Sequence, residues 1–309
     1  MKSVDPERLC GVWSATPTPF DEDMRVDTES VARLVEHHLQ LGVKGLFLGG
    51  TCGEGPWMPD CERRRLVRAA SEAAGDRLVL AVQVTDNSAA RILQNSFAAA
   101  EDGADLAVIA PPYFLMNATP QNVKRLYLDA IRNNPLPAGI YDRGENAAVS
   151  VADESLRASY AEPGVVLVKD SSADGERMRL ALEARKKRPS LRLLNGDEFK
   201  CVPYLRAGYD GLLLGGGIFN ARLAAMIIAA VDTGNITEAE RLQARMNRLM
   251  LDVYGGPRIE CWLAGLKHLL VELGVFRTTC NFLNYTLSES CRLAIAAALE
   301  REQDVLRSG

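Results

Sequence analysis

Histidine is scarce in this 309-residue chain, which has only His37, His38 and His268. None stands at a spacing from Cys or Asp that suits a zinc or iron site, so no metal cofactor is expected. The seven cysteines are an odd number at irregular spacing, without a CxxC pair, and no apolar run follows Met1. Free thiols in a reducing cytoplasm are the expectation. No stretch approaches the roughly 18 consecutive apolar residues of a membrane span. A basic stripe is also missing: Lys and Arg are scattered among the acids, and the formal net charge is -4. Neither nucleic acid nor membrane is therefore an expected partner.

What is present reads as an ordinary globular protein, 47% apolar and 25% charged. Short apolar, β-branched runs cover residues 10–15, 45–48, 78–84, 106–110, 138–141, 165–168, 191–194 and 211–214. Between them lie longer segments with apolar residues at helical spacing, such as 28–41, 60–74 and 89–102. Runs that are apolar at successive positions, as in Val165-Val166-Leu167-Val168, suit parallel strands covered on both faces. An open doubly wound sheet has the same pattern. Eight units, and no GxGxxG after the first, favour closure into a (β/α)8 TIM barrel over residues 1–234. Helical patterns at 221–232, 237–254, 261–273 and 288–306 follow the eighth strand. The last three exceed what closure needs and predict a C-terminal helical extension over 235–309, of the kind that carries subunit contacts.

In such a barrel, reactive residues stand where strands end. Lys169 follows four aliphatic residues and, on strand parity, shares a face with Val165 and Leu167. Apolar walls favour its neutral amine, the form that attacks a carbonyl carbon. The alternative is a rim lysine that snorkels out or pairs with an acid. Tyr141 ends the preceding strand, where a phenol either shuttles protons or is simply hydrogen-bonded at the rim. The turn Gly49-Gly50-Thr51-Cys52-Gly53-Glu54-Gly55 exposes backbone N–H groups to an anion such as a carboxylate, or else forms only a tight βα connection. Asn195-Gly196-Asp197-Glu198 and Gly215-Gly216-Gly217 close the rim. Their acids suit hydroxyls of a polyol tail, although Asp197 equally suits the N-cap of the next helix.

Together these residues are recognisable. Thr16-Pro17-Thr18-Pro19-Phe20, Gly50-Thr51-x-Gly53-Glu54, Tyr141 and Val168-Lys169-Asp170-Ser171 occur in the order and spacing of a known family. The chain resembles the dihydrodipicolinate synthase / N-acetylneuraminate lyase family of Schiff-base barrels over nearly its whole length. The resemblance implies that Lys169 forms the imine, that Tyr141 shuttles protons, and that the Thr51 hydroxyl hydrogen-bonds Tyr141. It also implies that Thr51, Cys52 and Gly53 hold the keto-acid carboxylate, that Tyr113, Gly196, Asp197 and Gly215 line the substrate site, and that a homotetramer works without metal or organic cofactor.

The departures bear on substrate. Family synthases carry an Asn-x-Pro-x-Arg-like run after the tyrosine, and their arginine position is Asn146 here, within Asp142-Arg143-Gly144-Glu145-Asn146. The tyrosine pair after the fourth strand becomes Tyr113-Phe114, and Cys52 stands where Thr or Ser is usual. Asn195-Gly196-Asp197-Glu198 resembles the acidic run of sialic acid lyases but is one residue shorter. The expected activity is a lyase acting on pyruvate or a 2-keto-3-deoxy acid, by aldol cleavage or dehydration, with dihydrodipicolinate synthesis disfavoured. Alternatives are an aldolase for aromatic aldehydes, suggested by Trp57, Phe114, Leu115 and Met116, and an idle barrel that only binds keto acids.

Overall fold

A computed structural model describes residues 4–306; the outermost residues of the two expected units, 1–3 and 307–309, lie outside the described residues. The eight strands are β1 (Gly11–Ala15), β2 (Gly45–Leu48), β3 (Val79–Gln83), β4 (Leu106–Ile109), β5 (Ala138–Asp142), β6 (Val165–Asp170), β7 (Arg192–Asn195) and β8 (Gly211–Leu214). They pair in parallel and in chain order, and β8 closes onto β1. The expected TIM barrel is the observed one.

The helices between strands are α1 (Thr28–Gln40), α2 (Asp60–Ala74), α3 (Ala89–Glu101), α4 (Pro120–Arg132), α5 (Asp153–Ala161), α6 (Gly175–Lys187), α7 (Cys201–Ala207) and α8 (Gly217–Asp232). Their starts follow local chemistry. Asp27 accepts from the Glu29 and Ser30 amides at the head of α1, and Thr119 with Pro120 begins α4. Buried residues form two clusters. One fills the barrel, from Leu9 and Trp13 through Leu106 and Leu167 to Tyr141 and Cys52; the other is the sheath between strands and helices.

The extension comprises α9 (Ile236–Tyr254), α10 (Trp262–Glu272), α11 (Glu289–Arg301) and α12 (Gln303–Leu306). Leu242, Met246, Leu266 and Ile295 carry the sheath cluster into it. The single helix expected over 288–306 is broken at Glu302. That residue is buried, and its carboxylate accepts from Arg245 of α9 and from Arg301, contacts that short-range periodicity does not reveal.

Strand β6 departs from simple alternation. Ala138 pairs with Val165, but Gly139 already pairs with Leu167, so Val166 is an extra residue in a bulge. Leu167 points into the barrel while Val165 belongs to the sheath. Lys169 therefore shares a face with Leu167, as expected, but not with Val165.

Candidate active site

Lys169 is the penultimate residue of β6 and is only 6% exposed. Its register partner on β5 is Tyr141. The Lys169 Nζ lies 4.1 Å from the centroid of the Tyr141 ring and 4.8 Å from that of Phe47. The two rings meet edge to face, 5.8 Å apart. Among the described residues no carboxylate comes within ion-pair distance of this amine, and its burial does not fit a lysine that snorkels into solvent. Aromatic faces offset part of the cost of a buried ammonium but give it no counter-ion. Phe47, which forms half of this wall, drew no attention in the sequence, where it is one apolar residue in a strand; inward parity alone marks it.

The next residue, Asp170, faces away from the amine. Its carboxylate accepts from the Ser172 amide at 2.9 Å, the Ser172 hydroxyl at 2.6 Å and the Tyr209 hydroxyl at 2.6 Å. These bonds fix the end of β6 and with it the direction of the lysine stem.

Opposite stands the turn after β2. Gly55 is required by close approach: a Cβ there would lie 1.9 Å from the Gly49 carbonyl oxygen. The Gly53 carbonyl accepts from the Thr18 hydroxyl at 2.7 Å, which ties the turn to the loop after β1. The Thr51, Cys52 and Gly53 amides donate to no acceptor beyond their own residues among the described residues, leaving N–H groups for an anion. Glu54 takes a left-handed conformation at φ 59°, which costs a non-glycine residue about 1 kcal/mol or more. The Thr51 hydroxyl, expected to bond Tyr141, makes no such bond. Tyr141 is turned edge-on to Phe47, and the two hydroxyls remain separate.

Cys52 is buried beside this turn, and burial pushes its thiol up to about 12. Its sulfur is therefore neutral. Gly215 brings it close to Glu198, because a Cβ at 215 would lie 3.1 Å from the Cys52 sulfur and 3.4 Å from Glu198 Oε1. Glu198 accepts from the Gly216 amide at 2.7 Å and from the Tyr254 hydroxyl at 2.9 Å. Burial raises its carboxyl above the usual range. Tyr254 closes α9, so the extension reaches the barrel mouth, a link the sequence did not disclose.

Asp197 occupies the cap position of the single 3-10 turn Glu198–Lys200, but its side chain makes no cap bond. The Phe199 amide still draws on its carboxylate, so the capping contact is present but loose. The Asn195 side chain is the main hold on this turn, accepting from the Asp197 amide at 2.8 Å and donating to its carbonyl at 2.9 Å. Burial raises the Asp197 carboxyl. Tyr113 accepts from Gln83 of β3 at 2.7 Å, and burial pushes its phenol up to about 12. No contact joins it to Lys169 or Tyr141. Phe114, next to it, is 65% exposed.

Among the described residues no cluster of three His, Cys, Asp or Glu is placed to hold a metal ion, and no helix is long and apolar enough to cross a membrane.

A family model described as the dihydrodipicolinate synthetase family matches residues 8–302. The 4-hydroxy-tetrahydrodipicolinate synthase of Kineococcus radiotolerans is 30% identical over 236 residues, 76% of this chain and 75% of that protein. The N-acetylneuraminate lyase of Salmonella agona is 26% identical over 305 residues, 97% of this chain and 95% of that one. Among solved structures, the dihydrodipicolinate synthase of Bacteroides thetaiotaomicron superposes with a TM-score of 0.86 at 27% identity, covering 95% of this chain and 98% of its own.

Proposed function

The chain belongs to the dihydrodipicolinate synthetase family, whose enzymes form a Schiff base between pyruvate and a lysine without an external cofactor, and from that premise we propose that Lys169 is the imine-forming residue of a 2-keto acid lyase. The observation that carries the reading is the Lys169 amine: buried, without a counter-ion, and 4.1 Å from the Tyr141 ring at the barrel's catalytic end.

In this reading the neutral amine attacks C2 of the keto acid and gives a carbinolamine. Tyr141 passes protons as water leaves and the iminium forms. The iminium then accepts an electron pair. In aldol cleavage the C3–C4 bond supplies it, and an aldehyde departs as the C4 hydroxyl loses its proton. In dehydration C3 first loses a proton to give the enamine, which expels the C4 hydroxyl as water. The unbonded Thr51 and Gly53 amides hold the substrate carboxylate.

Phe114 at the second phenol position and Asn146 at the arginine position speak against dihydrodipicolinate synthesis. Asp197 and Glu198 favour a hydroxylated, 2-keto-3-deoxy acid, whose hydroxyls donate to carboxylates. The working unit in this reading is a cytoplasmic homotetramer, with Trp57, Phe114 and Met116, all exposed in the protomer, as subunit contacts.

The test is intact-protein mass after borohydride reduction with pyruvate, for the native chain and Lys169→Ala. A reduced adduct that requires Lys169 supports the reading. A folded native protein that gives no adduct with pyruvate or longer 2-keto acids sinks it in favour of an idle binding barrel.

A further inference from the structure

Glu54 and Lys267 are each 0% exposed, yet both are ionisable, and Lys267 Nζ lies 2.5 Å from Glu54 Oε1. Glu54 belongs to the turn after β2, and Lys267 to α10 of the extension. The surroundings complete the pair. Lys267 donates to the Cys280 carbonyl at 2.6 Å, and Glu54 Oε2 accepts from the Phe282 amide at 2.6 Å. The Lys267 amine also sits over the Phe20 ring at 4.5 Å, and Phe20 packs edge-on against Phe282. Burial pushes the Glu54 carboxyl up and the Lys267 amine down, and their mutual attraction opposes both shifts.

Burying such a pair is a poor way to gain stability, since well-packed apolar residues of similar size often do as well or better. What this pair supplies is direction. It holds a non-glycine residue in a left-handed conformation next to two amides that have no protein acceptor. On the other side of the same turn, Thr18 fixes the Gly53 carbonyl.

We infer that Glu54 and Lys267 are positioning residues that aim the Thr51 and Gly53 amides at the substrate carboxylate, making α10 part of the site. The inference rests on the proposed role of that turn. Neither residue touches substrate; they act through the backbone between them and the amides.

The experiment compares the native chain with the paired neutral variant Glu54→Gln/Lys267→Met, which leaves no lone buried charge. Borohydride trapping is titrated with pyruvate and with methyl pyruvate, which has the carbonyl but no carboxylate charge. Misaiming one charge-assisted hydrogen bond raises half-saturating pyruvate by about tenfold or more. Half-saturating methyl pyruvate and maximal trapping stay within about threefold. A parallel change for methyl pyruvate and pyruvate, or no change, overturns the inference. If the paired variant does not fold, Lys267→Arg is titrated the same way, and loss of fold in both assigns the pair to folding alone and overturns it. A native chain that traps no keto acid overturns this inference together with the reading of the turn, whereas native trapping with an unchanged variant overturns this inference only.

Discussion

A Cβ atom on Gly196 would lie 3.0 Å from Cε of Lys169 and 2.1 Å from the hydroxyl oxygen of Ser171. The bare backbone at the end of β7 is thus what leaves the lysine stem its place. Gly196→Ala is expected to preserve the fold, judged by circular dichroism, while slowing reduced-adduct formation about tenfold or more through displacement of the amine. Native trapping kinetics in this variant would show that the stem has room to spare.

Tyr141→Phe separates ring from phenol. The ring that lines the amine at 4.1 Å remains, so pyruvate still traps at saturation. Turnover falls by about a hundredfold to ten-thousandfold, the usual worth of a positioned acid–base group. Steady-state rates within about threefold of native would remove Tyr141 from the proton path.

Asp197 has a burial-raised carboxyl at the rim. Asp197→Ala should leave pyruvate trapping intact and raise KM for a polyhydroxylated 2-keto-3-deoxy acid about tenfold, the scale of a lost hydrogen bond to a charged group. Equal KM values for native and variant would place the polyol tail elsewhere.

The cysteines provide a label-based check. Cys61 is exposed and Cys52 buried, with its thiol pushed up to about 12. Iodoacetamide on the native protein at mildly alkaline pH should modify Cys61 and spare Cys52, as read by peptide mapping. Rapid modification of Cys52 would mean that the barrel mouth opens widely.

His38 sets an acid limit. It is fully buried in α1, with Nδ1 2.7 Å from the Leu34 carbonyl, and burial, aided by neighbouring His37, pulls its pKa from 6.5 to about 3. The folded state keeps the ring neutral, so its stabilising effect is fully present above 6.5. It is lost as pH falls from there toward about 3, because the unfolded chain takes up the proton first, at up to about 1.4 kcal/mol per pH unit. Urea unfolding of the native chain and His38→Gln across that window should converge as pH falls. Parallel curves would assign the acid sensitivity to other groups.

The strands were legible because each is a short apolar run between helical patterns, and Gly45–Leu48 and Gly211–Leu214 match the expected limits. Lys169 and Tyr141 were placed side by side because consecutive parallel strands put their ends at one face. Parity failed across the Val166 bulge, at Val165, since an inserted residue leaves no mark in a uniformly aliphatic run. Asp197 took the expected cap position, but the turn is held mainly by the Asn195 side chain through the Asp197 amide and carbonyl, a contact that composition does not decide. The Glu54–Lys267 pair and the Tyr254–Glu198 bond were illegible for another reason: each joins the barrel to helices far along the chain, and only packing brings them together.

The bulge in β6 resets which side chains of the strand face inward. Val165 and Val168 belong to the sheath against the helices, while Val166 and Leu167, adjacent in sequence, both pack toward the barrel interior. The extra residue thus shifts the alternation by one position, so that Lys169 comes to the inner face with Leu167 while Val168 between them stays in the sheath.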